Sequence, residues 1–286
     1  PLPSTDDATT VGDRFAVSYA VSATAFLRLQ ERTPNGGAVL VFADPVLDQG
    51  NGEGMAVAMR AAQGAAARGV LTPLPEARSE GEAVGGSGVI LVGDDATRAA
   101  FLDRAGGAAV LHIAAHAVVD GTSPEYSGIV LAGAGGDMVT VDDLGSLALD
   151  ADLVSLSGCK TAGGYVSTGD GVFGLTRAFL LAGARSVVSS WWDVEDAAAR
   201  HFMELYYAGL RGGQARDTAL QQARNTMAAE GYPLRDRCAF ALAGATAQPV
   251  AALAASSSGR PGAVTVPVAV LIVILIVATR RRRRRA

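Results

Sequence analysis

Ala109-Val110-Leu111-His112-Ile113-Ala114-Ala115-His116 and Asp152-Leu153-Val154-Ser155-Leu156-Ser157-Gly158-Cys159-Lys160-Thr161-Ala162 decide how this chain folds. Each is an apolar run of strand length that stops at a chemically able side chain, a histidine in the first and a cysteine in the second. In open α/β sheets, ligands and chemistry collect just beyond the carboxyl ends of the strands. Two strands can therefore deliver His116 and Cys159 to one edge although they stand far apart in sequence, which is the arrangement a cysteine hydrolase needs.

Outward from these runs, the same alternation continues in both directions. Strands are expected at 38–43, 70–74, 89–92, 129–131, 153–157, 186–190 and 239–242. Helices are expected at 54–68, 97–104, 141–147, 171–181, 196–207 and 215–229, with Asp196 as an N-cap. Before them, Phe15, Val17, Tyr19 and Val21 alternate as a strand leading into a short helix by residue 32. Strands alternating with helices predict an α/β fold: a mostly parallel central sheet with helices on both faces.

Composition narrows the function. The chain has 286 residues and 49% hydrophobic content, enough for a large buried core. Its net charge is −4, yet the arginine run at 280–285 carries +6, so the rest stands at −10. An acidic body speaks against a nucleic-acid partner, because phosphate binding needs a basic face. Two cysteines, Cys159 and Cys238, exclude a disulfide-stapled scaffold and give the body a reduced, intracellular look, with one bridge between them left open. No metal or organic cofactor is expected.

The tail differs from the body. Residues 247–262 are rich in Ala, Ser, Gly and Pro and are expected as a flexible linker. Residues 263–279 are uncharged and apolar, about 25 Å long as a helix, and are expected as a single transmembrane helix. The polyarginine tail, 280–286, favours a cytoplasmic C-terminus and so sets the body on the far side, against its reduced look. The chain begins at Pro1, and an upstream segment or domain is expected to precede it.

The chemistry rests on His116 and Cys159. A thiolate is the nucleophile, and a nearby imidazole can take the thiol proton and return it to the leaving amine. The backbone N–H groups of Cys159 and Ala117 are the candidate oxyanion donors. Against this stands the plain alternative of a packed cysteine and a satisfied histidine. Asp120, Asp170 and Asp193 fall in loops near the same edge and are candidates for a pocket that binds a basic side chain, with Trp192 or Trp191 as its wall; each is equally a turn, capping or packing residue. The pattern Gly169-x-Gly171-x-x-Gly174 starts too far from a strand end for a dinucleotide site. His201 has only Glu204 at metal-ligand spacing.

Leu111-His112-Ile113-Ala114-Ala115-His116-Ala117 and Leu156-Ser157-Gly158-Cys159-Lys160-Thr161 together resemble the histidine and cysteine motifs of the CHAT domain family of caspase-like cysteine peptidases. Further segments match in family order: 169–180, 182–188 and Trp192-Asp193-Val194-Glu195-Asp196, and toward the N-terminus 17–23, 42–45 and 74–77. The resemblance covers residues 14–246, leaving 1–13 as an N-terminal extension. It implies a caspase-like fold, Cys159 as nucleophile, His116 as its partner, a structural role for His112, a protein or peptide substrate, and an upstream regulatory or sensor domain. Three departures stand out. Ala117 replaces a glycine, and if that position needs a positive φ, alanine is strained there by about 1 kcal/mol or more. Gly158 replaces an alanine, which adds freedom. Arg235-Asp236-Arg237-Cys238 replaces aromatic residues before the last strand. The expected function is a membrane-anchored cysteine endopeptidase. The alternatives are a catalytically silent CHAT domain acting as a membrane-tethered interaction module, and a thioesterase-like acyl hydrolase on the same dyad.

Overall fold

Strand β1 (Ala38–Pro45) feeds two apolar layers at once: Val39, Val41 and Ala43 point into one, Leu40 and Phe42 into the other. Burial on both faces is what a near-continuous apolar run predicts for a central parallel strand. In the computed structural model, the described residues are 10–33, 36–47, 74–118, 127–133, 137–158, 170–246 and 248–254, with the side chains of 170–173 excluded.

β1, β2 (Val89–Gly93), β3 (Ala108–Ala114), β7 (Leu153–Leu156), β8 (Ser186–Ser190) and β9 (Phe240–Gly244) form one sheet in the order β2-β1-β3-β7-β8-β9. The first five are parallel and β9 runs antiparallel beside β8. On one face pack α3 (Pro75–Gly85), α7 (Asp196–Arg211) and α8 (Arg216–Ala229). On the other pack α4 (Arg98–Arg104), α5 (Val141–Gly145) and α6 (Asp170–Ala182), with the small antiparallel sheet β4 (Ala117–Val118), β5 (Gly128–Leu131) and β6 (Asp137–Thr140). The remaining helices are α1 (Val11–Arg14), α2 (Ala23–Glu31) and α9 (Leu234–Arg237). The expected α/β architecture is therefore present, with helices on both faces.

Several details differ from the sequence reading, each for a local reason. Helix α3 was not expected, because Gly81 and Gly85 dilute its pattern. Both are there for contact: a Cβ on Gly81 would lie 2.7 Å from the Ala43 Cβ, and one on Gly85 2.6 Å from Ile90. Pro75 occupies its N-terminal turn, where the missing N–H costs nothing. Asp196 does not cap α7, whose N-cap is Glu195; its carboxylate accepts instead from the Glu76 N–H at 2.9 Å, in the first turn of α3. Of the alternating segment Phe15 to Val21, only Tyr19 pairs, bridging to β9, while Phe15 and Val21 are exposed. Residues 248–254, expected as the start of a linker, carry Val250 and Leu253 into the core. Thr10 to Asp13, expected within a plain extension, supply the N-cap and the first residues of α1, whose Asp13 pairs with Arg237 at 2.6 Å. Burial works to raise the Asp13 pKa, but bonds from the Thr10 amide and Arg237 outweigh it and hold the carboxyl below its usual value.

The expected helix at 54–68, strand residues 70–73 and the apolar and arginine-rich stretch at 263–286 lie outside the described residues. Among the described residues no helix is long and apolar enough to cross a membrane.

At the amino edge of the sheet, one carboxylate faces two guanidiniums. Asp152 Oδ1 lies 2.8 Å from Arg185 Nη1 and 3.9 Å from Arg216 Nη2. All three residues are buried. Gln248 accepts from both arginines, through its side chain and its carbonyl, and Ser186 Oγ donates to the Asp152 carbonyl. Burial lowers the Arg216 pKa, with Tyr206 and Asp152 opposing it. Removing a shared counter-charge from buried guanidiniums is expensive. Asp152→Asn is expected to cost about 3–5 kcal/mol in urea unfolding. Asp150→Asn, at the exposed Arg32–Asp150 pair, is expected to cost about 1 kcal/mol or less in the same assay. Equal losses for the two would refute the assignment.

Candidate active site

β3 and β7 lie side by side with Val110 opposite Leu153, Leu111 opposite Val154, His112 opposite Ser155 and Ile113 opposite Leu156. The ladder outlasts the strands, because the Ser157 N–H donates to the Ile113 carbonyl at 2.9 Å. Next along, Gly158 meets the backbone of Ala115. A Cβ on Gly158 would lie 2.2 Å from the Ala115 carbonyl oxygen and 2.7 Å from its amide nitrogen. The glycine is thus required by space: no side chain fits between the two segments as they leave the sheet. A glycine beside Cys159 allows close approach of backbone, and that approach is present here.

His116 is the link between β3 and β4 and is buried, at 4% exposure. Its carbonyl accepts from the Val130 N–H at 2.8 Å, and Ala117 pairs with Ile129. The small sheet therefore grips the backbone on the far side of the histidine while β3 and β7 hold the near side. Ala117 sits in regular strand conformation; among the described residues Asp44 is the non-glycine residue with positive φ. The strain expected from losing a glycine at 117 does not arise.

Cys159 and Asp120 lie outside the described residues, and Asp170 is the first residue of α6, its side chain not described. Asp193 is exposed. Trp192 is half-buried, packs against the core beneath α7, and donates its Nε1–H to the Arg235 carbonyl at 2.8 Å. Arg235 in turn donates to the Asp193 carbonyl. The segment that carries Trp192 and Asp193 is thus tied to α9, the site of the unusual Arg235-Asp236-Arg237-Cys238 run. Among the described residues, Cys238 is a free, buried thiol. Among the described residues no three His, Cys, Asp or Glu side chains gather at metal-binding range.

A polar layer beneath the site escaped the sequence reading. His112 is fully buried, with its Nε2 3.0 Å from Glu80 Oε1 on α3. The two atoms are within ion-pair distance but off the line that a directed hydrogen bond needs, so the contact is electrostatic. The His112 ring meets Tyr207 edge-on at 5.4 Å, and the Tyr207 hydroxyl donates to Ser155 Oγ at 3.0 Å. Burial pushes the Tyr207 phenol up, while the Ser155 bond works against it. The expectation that His112 is structural agrees with this packing. The available signal was a polar residue inside an apolar strand, which demands a partner, but its partner stands on a helix the sequence pattern concealed.

Comparison with known proteins adds the family. The sequence profile described as "CHAT domain" matches residues 2–245. Tetratricopeptide repeat protein 28 from Mus musculus is 41% identical over 86 residues, 30% of this chain and 4% of its own length. The Homo sapiens protein of the same name is 40% identical over 86 residues, 30% of this chain and 3% of its own length. The chain thus spans a small fraction of these relatives. Among solved structures, the Saccharomyces cerevisiae separase–securin complex aligns over 82% of this chain and 14% of the matched chain, with a TM-score of 0.45 and 13% identity.

Gly158→Ala tests the close approach directly. The added methyl forces the β7 exit away from Ala115, and overpacking against backbone is expected to cost about 1–3 kcal/mol or more in thermal unfolding. Gly174→Ala, where a Cβ meets nothing within 4 Å, is expected to be neutral or slightly stabilising. Unchanged stability for Gly158→Ala would remove the steric argument.

Proposed function

The chain belongs to the CHAT domain family, and from that premise we propose that it is a cysteine endopeptidase acting through a Cys159–His116 dyad. One observation carries the reading: the offset that sets His112 opposite Ser155 holds through the approach of Gly158 to Ala115. Were the same offset to continue one residue further, position 159 would stand opposite position 116. Residues opposite one another on neighbouring parallel strands are about 4.8 Å apart and present their side chains to the same face, a spacing that suits thiol-to-imidazole proton transfer. Attack of the Cys159 sulfur on a peptide carbonyl would form a thioester and expel the amine, which takes the proton held by His116. Water, deprotonated by His116, would then release the acid and restore the thiol. The N–H groups of Cys159 and Ala117 are the oxyanion donors in this scheme.

The burial of His116 favours a second reading, a silent CHAT module whose fold serves as a docking platform. The two readings separate by chemistry. In the peptidase, iodoacetamide labels Cys159 far faster than Cys238, Cys159→Ala abolishes hydrolysis of a peptide library, and His116→Ala lowers kcat/KM by roughly 10²–10⁴-fold. Equal, slow labelling of both cysteines and no cleavage by folded protein would leave the silent module.

Membrane attachment belongs to the same proposal. Residues 263–279 serve as a single-pass anchor with the arginines on the cytoplasmic side, supported by the uncharged apolar run and the six arginines that follow it. An upstream regulatory or sensor domain is likewise proposed, in keeping with the repeat-containing relatives of far greater length. The full chain is expected to stay in the membrane pellet after alkaline carbonate washing, and a chain ending at residue 258 to be released. Release of both would end the anchor proposal.

A further inference from the structure

Tyr19, Trp191, Arg224, Cys238, Phe240 and Gly12 line a cavity of about 50 Å³ beside the start of β9. That volume exceeds the ~10–15 Å³ a single water needs and suits a group the size of a carboxylate. Arg224 is only 8% exposed. Its Nη2 donates to the Phe240 carbonyl and its Nη1 lies against Gly12, where a Cβ would come within 2.8 Å. Its Nε has no acceptor among the described residues. A guanidinium stays charged even when buried, so an N–H left without a partner there carries the desolvation cost unrelieved.

The surrounding charges do not supply the missing acceptor. Asp13 is engaged by Arg237 at 2.6 Å and by the Thr10 amide. Among the described residues, Asp13 is thus taken by Arg237 and leaves Arg224 Nε without an acceptor. Burial lowers the Arg224 pKa and raises that of the Tyr19 phenol, so the tyrosine is no counter-ion at neutral pH. Much of the lining is apolar: the rings of Tyr19 and Trp191 lie 4.6 Å apart, tilted at 49°, and Phe240 lines the same cavity. A buried cation with an unpartnered N–H, lining a cavity with aromatic walls, is a receptor for an anion with a partly apolar body.

We propose that this cavity is a carboxylate-binding subsite in which Arg224 reads the charge and Tyr19 and Trp191 hold the attached carbon chain. Trp191 follows the carboxyl end of β8, and Ser190 pairs with Phe240, so the cavity shares the sheet edge where His116 stands. Two strand spacings, roughly 10 Å, separate β9 from β7. That distance is about three residues of extended chain. The ligand is therefore either a free small carboxylate or the Asp or Glu side chain of a bound peptide. Only the peptide source rests on the peptidase reading.

The test uses the full chain in detergent micelles and four probes: acetate, acetamide, and a pair of capped tripeptides that differ only in a central Glu or Gln. Binding is read by tryptophan fluorescence, since Trp191 and Trp192 are the two tryptophans in the chain. Its place is read by the iodoacetamide labelling rate of Cys238, located by peptide mass mapping. Acetate or the Glu peptide is expected to shift the fluorescence and slow Cys238 labelling, with at least roughly tenfold tighter binding than its neutral counterpart, as for loss of a charge-assisted bond. Arg224→Gln is expected to erase that preference. Protection by acetate alone identifies a free ligand, and protection by the Glu peptide alone a substrate side chain. Should Arg224→Gln fail to fold, the charged-versus-neutral contrast in the unaltered chain decides. Equal response to charged and neutral probes, or a preference that survives Arg224→Gln, overturns the proposal. Cys159→Ala leaves the acetate response unchanged in either case, so failure of the dyad and failure of this subsite are separate results.

Discussion

The close approach of Gly158 to Ala115 is the constraint on which the rest of this molecule depends. Parallel strands are held by slanted hydrogen bonds that do not by themselves forbid a slip, and a slip of one residue moves every side chain to the other face. Here the register of β3 and β7 is held at the carboxyl end by backbone packed on backbone, with space for hydrogen alone. From that point the small sheet takes over, through the Val130 bond to the His116 carbonyl. The histidine backbone is clamped from both directions, so its position is a property of the sheet and does not depend on a loop.

Buried charge gathers at both edges of the sheet. At the amino edge, Asp152 shares its charge between Arg185 and Arg216, and Gln248 accepts from each, while Arg216 Nε keeps no acceptor among the described residues. That cluster gathers β7, β8, α8 and the segment after β9, and its value lies in what breaking it would expose. At the carboxyl edge, Arg237 pairs with Asp13 and Arg224 donates to the Phe240 carbonyl, its Nε without an acceptor among the described residues.

Between the edges lies the Glu80–His112 contact with Tyr207 and Ser155. It joins α3, β3, β7 and α7 across the layer beneath His116. A buried polar layer of this kind is costly unless its members are held in place, and the small glycines of α3 allow that helix close enough to hold them. Packing and polarity thus set one geometry together.

Much of this was legible from local pattern. The central strands announced themselves as apolar runs, because a strand buried on both faces has no polar residues to hide. Ser186–Ser190 lies where the pattern set it, and α8 and β7 within a residue or so. Helix α3 was hidden because its glycines serve contact with the sheet and not helix formation. Asp196 was assigned to the wrong helix because a capping carboxylate reaches through space, to α3, and not along the chain.

The sequence by itself determined the fold class, the family and the candidate pair His116 and Cys159, since these depend on periodicity and on motifs a few residues long. Only the tertiary structure decided that Gly158 is demanded by the Ala115 backbone, that Ala117 is unstrained, that His112 answers to Glu80, and that Arg224 lines a cavity with its Nε lacking an acceptor among the described residues. Those outcomes are contacts between segments distant in sequence, and their energies come from distances and excluded volume that no one-dimensional pattern records.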